Sequence, residues 1–331
     1  MQAAIFEKFG EPADVLQVRD RSVPEPEPGQ LLVRMLAAPI NPSDLMTVRG
    51  IYAKLPALPA TPGFEGVGIV ERSGGGLYGK FLVGKRVAVL NSETGSWAER
   101  TVINARQAIP LSAKLPVEQA AMFFVNPATA YIMTRKVLQV PAGEWLLQTA
   151  AGSALGKMVI RLGKSYGFRT INIVRREEQV AELQSLGADY VLVEGQGDLR
   201  QQVLAKTGGQ GVRFAIDPVG GATASAAVSC LGAGGRLLLY GTLSSEPISF
   251  SPRALMSADA RVEGFWLGHW MARQKIVGKL SLVRKITGLI LSGVLASEVG
   301  ETFPLTRITD AVRNAEKPGR GGKTLLQLGD A

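Results

Sequence analysis

The sequence predicts an α/β protein in which a compact, mostly β domain precedes a doubly wound parallel sheet. Short strand-like segments separated by Pro- and Gly-rich turns fill the chain up to about Val117. Beyond that point strand-like and helix-like segments alternate, which is typical of a parallel sheet covered by helices. The 331 residues allow two domains of ordinary size.

The first domain is expected to contain four short strands. Turn residues cluster at 24–29, 56–59 and 74–76, and they separate runs that favour extended structure. The strands are predicted at residues 3–6, 31–37, 66–71 and 86–90.

The second part is expected to alternate helices and strands. Helical segments are predicted at residues 116–130 with a break at Asn126-Pro127, then at 157–166, 178–186, 199–207, 222–231 and 271–293. Strands are predicted at residues 145–147, 170–174, 190–193, 214–217 and 235–240, with a short β-like segment at 323–328.

Residues 145–176 indicate a dinucleotide-binding βαβ unit. An apolar strand leads into a turn of very small side chains, where a backbone must approach a pyrophosphate, and the following helix N-terminus favours an anion. Only Gly156 matches the register of the GxGxxG pattern, so an ordinary βαβ turn is the alternative. The candidate cofactor-binding residues of the turn are Gly152, Ser153, Ala154 and Leu155.

The second strand of this unit ends in Arg175 and Arg176, where an NAD site would carry Asp or Glu for the ribose diol. Guanidinium groups bind a 2′-phosphate through charge-assisted hydrogen bonds, whereas a carboxylate would repel it. The pair therefore predicts NADPH as the cofactor. The alternative is that both arginines are simply solvated.

The supply of cysteine and histidine excludes several kinds of chemistry. Cys230 is the only cysteine and His269 the only histidine, so an intrachain disulfide and a Cys₄ zinc site are impossible. A Ser-His-Asp triad would need His269, which lies in the apolar stretch GFWLGHW and is expected to be packed and hydrogen-bonded. No metal site is predicted.

The net charge of +9 is spread along the chain, which argues against a dedicated nucleic-acid surface. It suits acidic ligands such as NADPH, coenzyme A or acyl carrier protein, or else a generally basic surface. The opening MQAAIFEKFG has no signal-peptide pattern, and no apolar run approaches the length of a membrane span. A cytoplasmic protein without a membrane partner is expected.

Four segments carry a family resemblance. They are INPSD at 40–44 followed by GIY at 50–52, VNPATAY at 125–131, RTINIVR at 169–175, and GFWL at 264–267 with Trp270. Together they resemble the medium-chain dehydrogenase/reductase superfamily, which pairs a GroES-like β domain with a Rossmann domain. The resemblance implies a GroES-like catalytic domain at 1–118, a Rossmann NADPH-binding domain at 119–266, and a return to the catalytic domain at 267–331. Zinc-dependent members carry Cys and His at the positions of Asn41 and Phe64.

Within the superfamily the chain most resembles mitochondrial-type 2-enoyl thioester reductases, and NADPH:quinone reductases less closely. The resemblance implies an NADPH-dependent reductase of activated C=C bonds, a homodimer, and Tyr52 as the proton donor. A quinone or enone reductase and a non-catalytic NADPH-binding protein are the alternatives. The residues that it implies for cofactor binding, besides those of the βαβ unit, are Asn41, Asn126, Thr129, Tyr240, Gly241, Phe265, Trp266, Leu267 and Lys323.

Two of these roles have structural alternatives. Tyr52 lies in a Pro-rich loop and could simply pack or face solvent. The aromatic run at Phe265 and Trp266 could belong to the core, as aromatic residues in such a stretch often do.

Overall fold

The computed structural model describes residues 1–91 and 93–329; Ser92, Asp330 and Ala331, which fall inside the predicted domain ranges, lie outside the description. The strands are β1 (Gln2–Ile5), β2 (Gln17–Asp20), β3 (Gln30–Pro39), β4 (Glu65–Ser73), β5 (Arg86–Leu90), β6 (Arg100–Asn104), β7 (Ala108–Pro110), β8 (Trp145–Gln148), β9 (Arg169–Val174), β10 (Tyr190–Val193), β11 (Val212–Asp217), β12 (Leu231–Leu239), β13 (Arg261–Gly264), β14 (Val299–Pro304) and β15 (Lys323–Gln327).

The helices alternate with the strands in the second half of the chain. They are α1 (Pro12–Val15), α2 (Pro42–Arg49), α3 (Leu77–Leu82), α4 (Val117–Ala121), α5 (Val125–Ile132), α6 (Ala154–Tyr166), α7 (Glu178–Ser185), α8 (Leu199–Lys206), α9 (Gly221–Ser229), α10 (Pro252–Met256), α11 (Leu267–Ala272), α12 (Ile276–Leu291) and α13 (Ile308–Glu316).

The first compact unit comprises Met1–Val125 and Ala296–Ala331. Its main sheet runs β14-β15-β3-β4-β5-β7, with β6 also paired to β3, and β1 and β2 form a separate antiparallel pair. The two ends of the chain share this sheet because β15 pairs antiparallel with β3, with Leu325 opposite Pro39. The same register brings Lys323, the first residue of β15, next to Asn41, two residues beyond the end of β3.

The second unit comprises Asn126–Leu295 and is built on a six-stranded sheet. The strand order is β10-β9-β8-β11-β12-β13, and every pair is parallel. The order reverses between β8 and β11, which is the point where doubly wound sheets bind ligands. The predicted α/β class with a doubly wound parallel sheet is therefore confirmed.

Burial on both faces explains why the central strands are apolar. Leu146 and Leu147 of β8 are fully buried, as are Ala215 and Ile216 of β11. Helix α6 contributes its apolar face to the same core and ends at Gly167, whose positive φ of 77° closes the helix.

Two predicted helices differ from the structure. The break in the 116–130 segment falls at 122–124 and not at Asn126-Pro127. Pro127 lies in the first turn of α5, where backbone N–H groups have no partner within the helix, so proline is tolerated there. The predicted helix at 271–293 is two helices, α11 and α12, separated at Arg273–Lys275.

The boundaries of the compact units also differ from the predicted domains. The units divide at Val125 and Leu295, not at residues 118 and 266. The helix at 276–291 belongs to the second unit because it packs on α6: the Lys285 ammonium lies 5.6 Å from the Tyr166 ring centroid, and Arg161 Nε donates to Val294 O at 3.0 Å.

Candidate functional site

A buried polar cluster occupies the first unit where α2 begins. Asn41 precedes Pro42, the first residue of α2, and its side chain is engaged on both sides. Lys323 Nζ donates to Asn41 Oδ1 at 2.6 Å, and Asn41 Nδ2 donates to Glu65 Oε1 at 3.0 Å. The three residues are at most 4% exposed. The structure therefore brings the predicted Asn41 and Lys323 together and adds Glu65.

Asp44 connects the two positions that hold metal ligands in zinc-dependent members. Its Oδ2 accepts from the Asn41 backbone N–H at 2.7 Å, and its Oδ1 accepts from the Phe64 N–H at 2.9 Å. The first bond also satisfies a free donor at the N-terminus of α2, since Asp44 occupies the third helical position. Asp44 is fully buried, so its two backbone donors are the partners that make this burial tolerable.

Glu65, at the start of β4, holds a second set of backbone donors. Its Oε2 accepts from the N–H of Val125 at 2.9 Å and from that of Phe124 at 3.3 Å. With its other oxygen bonded to Asn41, the carboxylate has a partner at each oxygen. Glu65 thereby fixes both the Asn41 amide and the segment where α5 begins.

Burial changes the proton affinity of every ionisable group in this cluster. It raises the pKa of Asp44 to about 7 and also raises the pKa of Glu65, because a dry environment disfavours the charged carboxylate. It lowers the pKa of Lys323 to about 8 for the same reason. The cluster can therefore gain or lose protons close to neutral pH, and its members titrate together.

Tyr52 lies beside this cluster. Gly50 ends α2 in the left-handed conformation, with φ 77°, and turns the chain so that the half-buried Tyr52 ring packs on Phe64 at a centroid distance of 5.1 Å. Burial, and then the negative charge of Asp44, raise the pKa of the Tyr52 hydroxyl. The phenol therefore stays protonated well beyond neutral pH, as an acid must before it donates a proton.

In the second unit, the turn between β8 and α6 has the features of a phosphate cradle. Ser153 caps α6, and its Oγ accepts from the Gly156 N–H at 3.1 Å. A Cβ on Gly156 would lie 2.4 Å from Ala151 O, so only glycine allows this approach of helix and turn. A Cβ on Gly152 would meet only the end of the flexible Gln179 side chain. The turn and the 13-residue α6 fit a pyrophosphate at the helix N-terminus.

Arg175 and Arg176 follow β9 at the carboxyl edge of the parallel sheet. Arg175 is exposed and Arg176 is half-buried. Within residues 1–91 and 93–329, neither guanidinium has a hydrogen bond or an ion pair. Their donors are thus available for a phosphate, which is what a 2′-phosphorylated dinucleotide would present.

Other predicted residues lie along the same sheet edge or on α5. Tyr240 and Gly241 follow β12, and a Cβ on Gly241 would lie 2.7 Å from Pro218 O, at the end of the neighbouring β11. Burial and the charge of Asp217 raise the pKa of Tyr240. Asn126 and Thr129 stand one turn apart on α5, the first half-buried and the second buried.

The aromatic run after β13 is not part of the core. Trp266 is 42% exposed, Phe265 is half-buried, and Leu267 begins α11. The prediction of a packed His269 is wrong: the imidazole is exposed and stacks on the Trp266 ring at 5.9 Å. Trp266 directly precedes the short α11, which carries His269, and both rings lie at the surface.

Asp44 and Glu65 are not among the predicted site residues, although Asp44 ends the INPSD segment and Glu65 directly follows Phe64. Asp217, the last residue of β11, has a structural role. Asp217 Oδ2 accepts from the N–H groups of Val219 and Gly220 at 3.0 and 2.7 Å, and Oδ1 accepts from the Thr149 hydroxyl. Its carboxylate therefore orders the loop after β11.

Neither a metal site nor a membrane span occurs among the residues that the structure describes. No three of their His, Cys, Asp or Glu side chains lie close enough to hold a metal ion. None of the described helices has the length and apolarity needed to cross a membrane.

Two family models match the chain. The model for the alcohol dehydrogenase GroES-like domain matches residues 27–113, and the model for the zinc-binding dehydrogenase domain matches residues 154–282. Among curated proteins, the mitochondrial enoyl-[acyl-carrier-protein] reductase of Caenorhabditis elegans is 33% identical over 312 residues, which cover 90% of each chain.

Solved structures of two kinds are similar. A putative NADPH:quinone reductase from Bacillus thuringiensis is 32% identical with a TM-score of 0.91, covering 98% of both chains. The complex of Etr1p with NADP and crotonyl-CoA is 26% identical with a TM-score of 0.84, covering 98% of this chain and 99% of that one. The overall architecture is thus shared with reductases of both acceptor types.

Proposed function

We propose that this chain, which belongs to the medium-chain dehydrogenase/reductase superfamily and is an NADPH-dependent oxidoreductase, reduces the C=C bond of trans-2-enoyl thioesters. The single observation that carries the choice of acceptor is Tyr52. Its half-buried ring packs on Phe64 beside the buried cluster, which places a phenolic hydroxyl there. Burial, and then the charge of Asp44, raise its pKa from 10.0, so the hydroxyl is protonated at neutral pH. An enoyl thioester needs such an acid, whereas simple hydride transfer to a quinone does not.

The reaction requires one hydride and one proton. NADPH, when bound, supplies a hydride to the β carbon of the unsaturated thioester. The electron pair of the C=C bond then moves toward the thioester carbonyl and leaves an enolate, which takes a proton at the α carbon. Tyr52 stabilises the enolate oxygen or donates that proton, and its phenolate is reprotonated from solvent.

The residues divide between the units by role. In the second unit, the N-terminus of α6 with Gly152, Ser153, Ala154 and Leu155 holds the pyrophosphate. Arg175 and Arg176 hold the 2′-phosphate. The remaining predicted residues, including Lys323 and Asn41 of the buried cluster, are proposed to orient the nicotinamide end.

The names of the similar proteins support this proposal without deciding the acceptor. The curated relative from Caenorhabditis elegans is named for an enoyl group carried by acyl carrier protein, and we extend that class of substrate to this chain. The similar structure from Bacillus thuringiensis, with a TM-score of 0.91, is that of a putative NADPH:quinone reductase, and this likeness favours quinone reduction as the second candidate function. The predicted homodimer and the predicted cytoplasmic location stay predictions.

Loss of NADPH absorbance with three acceptors tests the proposal. The acceptors are crotonyl-CoA, a benzoquinone and a simple enone. We expect kcat/KM to be highest for crotonyl-CoA and the product to be the saturated thioester. Preference for the benzoquinone would establish the second function, and NADPH binding without turnover of any acceptor would indicate a non-catalytic binding protein.

A further inference from the structure

Helix α12 and the residues around it form an unusually basic part of the second unit. Between Glu263 and Glu298 the sequence contains no Asp or Glu. The basic residues of this stretch are Arg273, Lys275, Lys279, Arg284 and Lys285. A segment of this length without an acidic residue creates a local positive potential that salt bridges within the segment cannot cancel.

The outer face of α12 is also apolar. Ile276, Val277 and Leu280 are 68%, 74% and 61% exposed. They lie on one arc of the helix, because positions 276 and 280 are one turn apart and 277 is their neighbour. The opposite arc is buried and supplies the core residues Leu282, Ile286, Leu289 and Ile290. The exposed arc is thus a second apolar face that the described chain leaves uncovered.

The basic character continues onto the helix that α12 packs against. Residues 145–176, which include α6, also contain no Asp or Glu. Two cations flank one ring of this helix: the Arg135 guanidinium lies 4.5 Å and the Lys285 ammonium 5.6 Å from the Tyr166 centroid. A partner that approaches α12 therefore meets positive charge beyond the apolar arc as well.

We propose that the exposed face of α12, formed by Ile276, Val277 and Leu280 with Lys275 and Arg284, docks the acidic acyl carrier protein that delivers the enoyl group. This rests on the proposed function and specifies the source of its thioester. Charge complementarity steers an acidic helical protein to this face, and the apolar arc supplies the contact area at its centre. A free nucleotide-based thioester needs phosphate contacts but has no use for an exposed apolar helix face.

A pair of substrates separates docking from chemistry. One is crotonyl-acyl carrier protein, and the other is the crotonyl thioester of N-acetylcysteamine, which has the same reacting group without the protein. In the variant Lys275→Glu/Arg284→Glu, we expect KM for the carrier-linked substrate to rise by about tenfold or more. Neither kcat nor the kinetics of the small thioester should change.

The matched control reverses two charges elsewhere. Lys8→Glu/Lys114→Glu changes the net charge equally, and both lysines are exposed in the first unit. We expect KM for either substrate to stay as in the unmodified protein. An equal rise of KM in both double variants would show that only net charge matters and would overturn the assignment of the α12 face.

Direct binding makes the test independent of turnover. The anisotropy of a labelled carrier protein reports its binding to the full chain. The variant Ile276→Ser/Leu280→Ser, which alters only exposed side chains, should weaken that binding by about tenfold. If the enzyme reduces no enoyl thioester at all, the proposed function fails, while this binding curve still reports on docking.

Two other occupants are distinguished in the same variants. Co-sedimentation with phosphatidylglycerol vesicles that is lost on charge reversal, without carrier-protein binding, would identify the face as a membrane contact and overturn the proposal. Loss of a dimer in Ile276→Ser/Leu280→Ser, measured by sedimentation, would identify a second copy of the chain as the occupant and overturn it likewise.

Discussion

Lys323 donates to Asn41 Oδ1 at 2.6 Å, so an ammonium group reaches the position where zinc-dependent members of the superfamily have a cysteine ligand. The two residues are 282 positions apart and meet because β15 lies beside β3. The buried cation stands with the carboxylates of Glu65 and Asp44, which stabilise its charge. The chain itself therefore places a cationic group here, and burial lowers its pKa to about 8.

Removal of that charge should destabilise the first unit. Breaking a buried charge pair by deleting one partner typically costs about 3–5 kcal/mol, because the remaining charge is left unpaired. We expect Lys323→Met to lower the free energy of unfolding by that order in urea denaturation. The exposed Lys114→Met is the control and should change it little. Equal stability of the two variants would show that the cluster is held by its backbone hydrogen bonds alone.

The stability should also depend on pH through Asp44. Because burial raises its pKa from 3.8 to about 7, the folded chain binds this proton more tightly than the unfolded chain does. The stabilisation that comes from this tighter proton binding is complete below pH 3.8 and is lost as the pH rises through about 7. The free energy of unfolding should fall by up to about 1.4 kcal/mol per pH unit in this range. Asp44→Asn should remove this slope between those two pKa values.

Urea denaturation at several pH values measures this effect as a difference between the two proteins. The amide introduced by Asp44→Asn offers one acceptor oxygen in place of two, so the variant should also lose a constant amount, about 1–3 kcal/mol for the unpaired backbone donor. If the free energies of unfolding of the two proteins changed with pH in parallel, the pKa of Asp44 would be the same in the folded and the unfolded chain.

The local features of the cofactor unit could be read from the sequence because they depend on neighbours in the chain. The small turn, the Ser153 cap and the αL closure at Gly167 follow from residues within one βαβ unit. Strand ends are similarly local, so Arg175 and Arg176 were placed correctly at the carboxyl end of β9.

The buried cluster could not be predicted, since its meaning depends on tertiary contacts. Glu65 in the sequence is one acid before a strand, and nothing nearby shows that Lys323 will lie close to it. The exposure of His269 was missed for the same reason. Its apolar neighbours favour a core position, but the chain between α11 and α12 breaks at Arg273–Lys275 without a Gly or Pro to signal it.

Catalysis should not require a metal ion. Asn41 and Phe64 stand where ligands would be, and the chain has a single cysteine and a single histidine. We expect full activity after exhaustive treatment with EDTA, followed by metal analysis of the protein. Stoichiometric zinc that is lost together with activity, and restored with it, would show that other residues form a metal site.

The cofactor preference should depend on the two arginines after β9. Each charge-assisted hydrogen bond to a phosphate contributes about 1.5–3 kcal/mol. Arg175→Ala/Arg176→Ala should therefore raise KM for NADPH by a decade or more and leave KM for NADH much less affected. The exposed Arg253→Ala in the same unit is the control. Equal use of NADPH and NADH by the unmodified protein would contradict the assignment.

The role of Tyr52 is tested by removing only its hydroxyl. Tyr52→Phe keeps the ring that packs on Phe64, so folding should be preserved. General acids typically contribute about 10²–10⁴-fold, and we expect kcat with crotonyl-CoA to fall by that order while NADPH affinity changes little. Because burial and the charge of Asp44 raise the pKa of Tyr52, its hydroxyl should stay protonated as the pH approaches 10, so any loss of activity at lower pH should come from other groups such as Lys323.

The matched measurement uses a quinone with the same variant. A reduced quinone is a stabler anion and needs no proton at carbon, so Tyr52→Phe should lose far less quinone activity than crotonyl-CoA activity. Ile51→Ala, an exposed neighbour in the same loop, controls for disturbance of the loop and should affect neither acceptor strongly. If Tyr52→Phe reduced crotonyl-CoA at the rate of the unmodified protein, the proton donor would have to be water or Thr129 and not Tyr52. That result would also make quinone reduction the better account of this site.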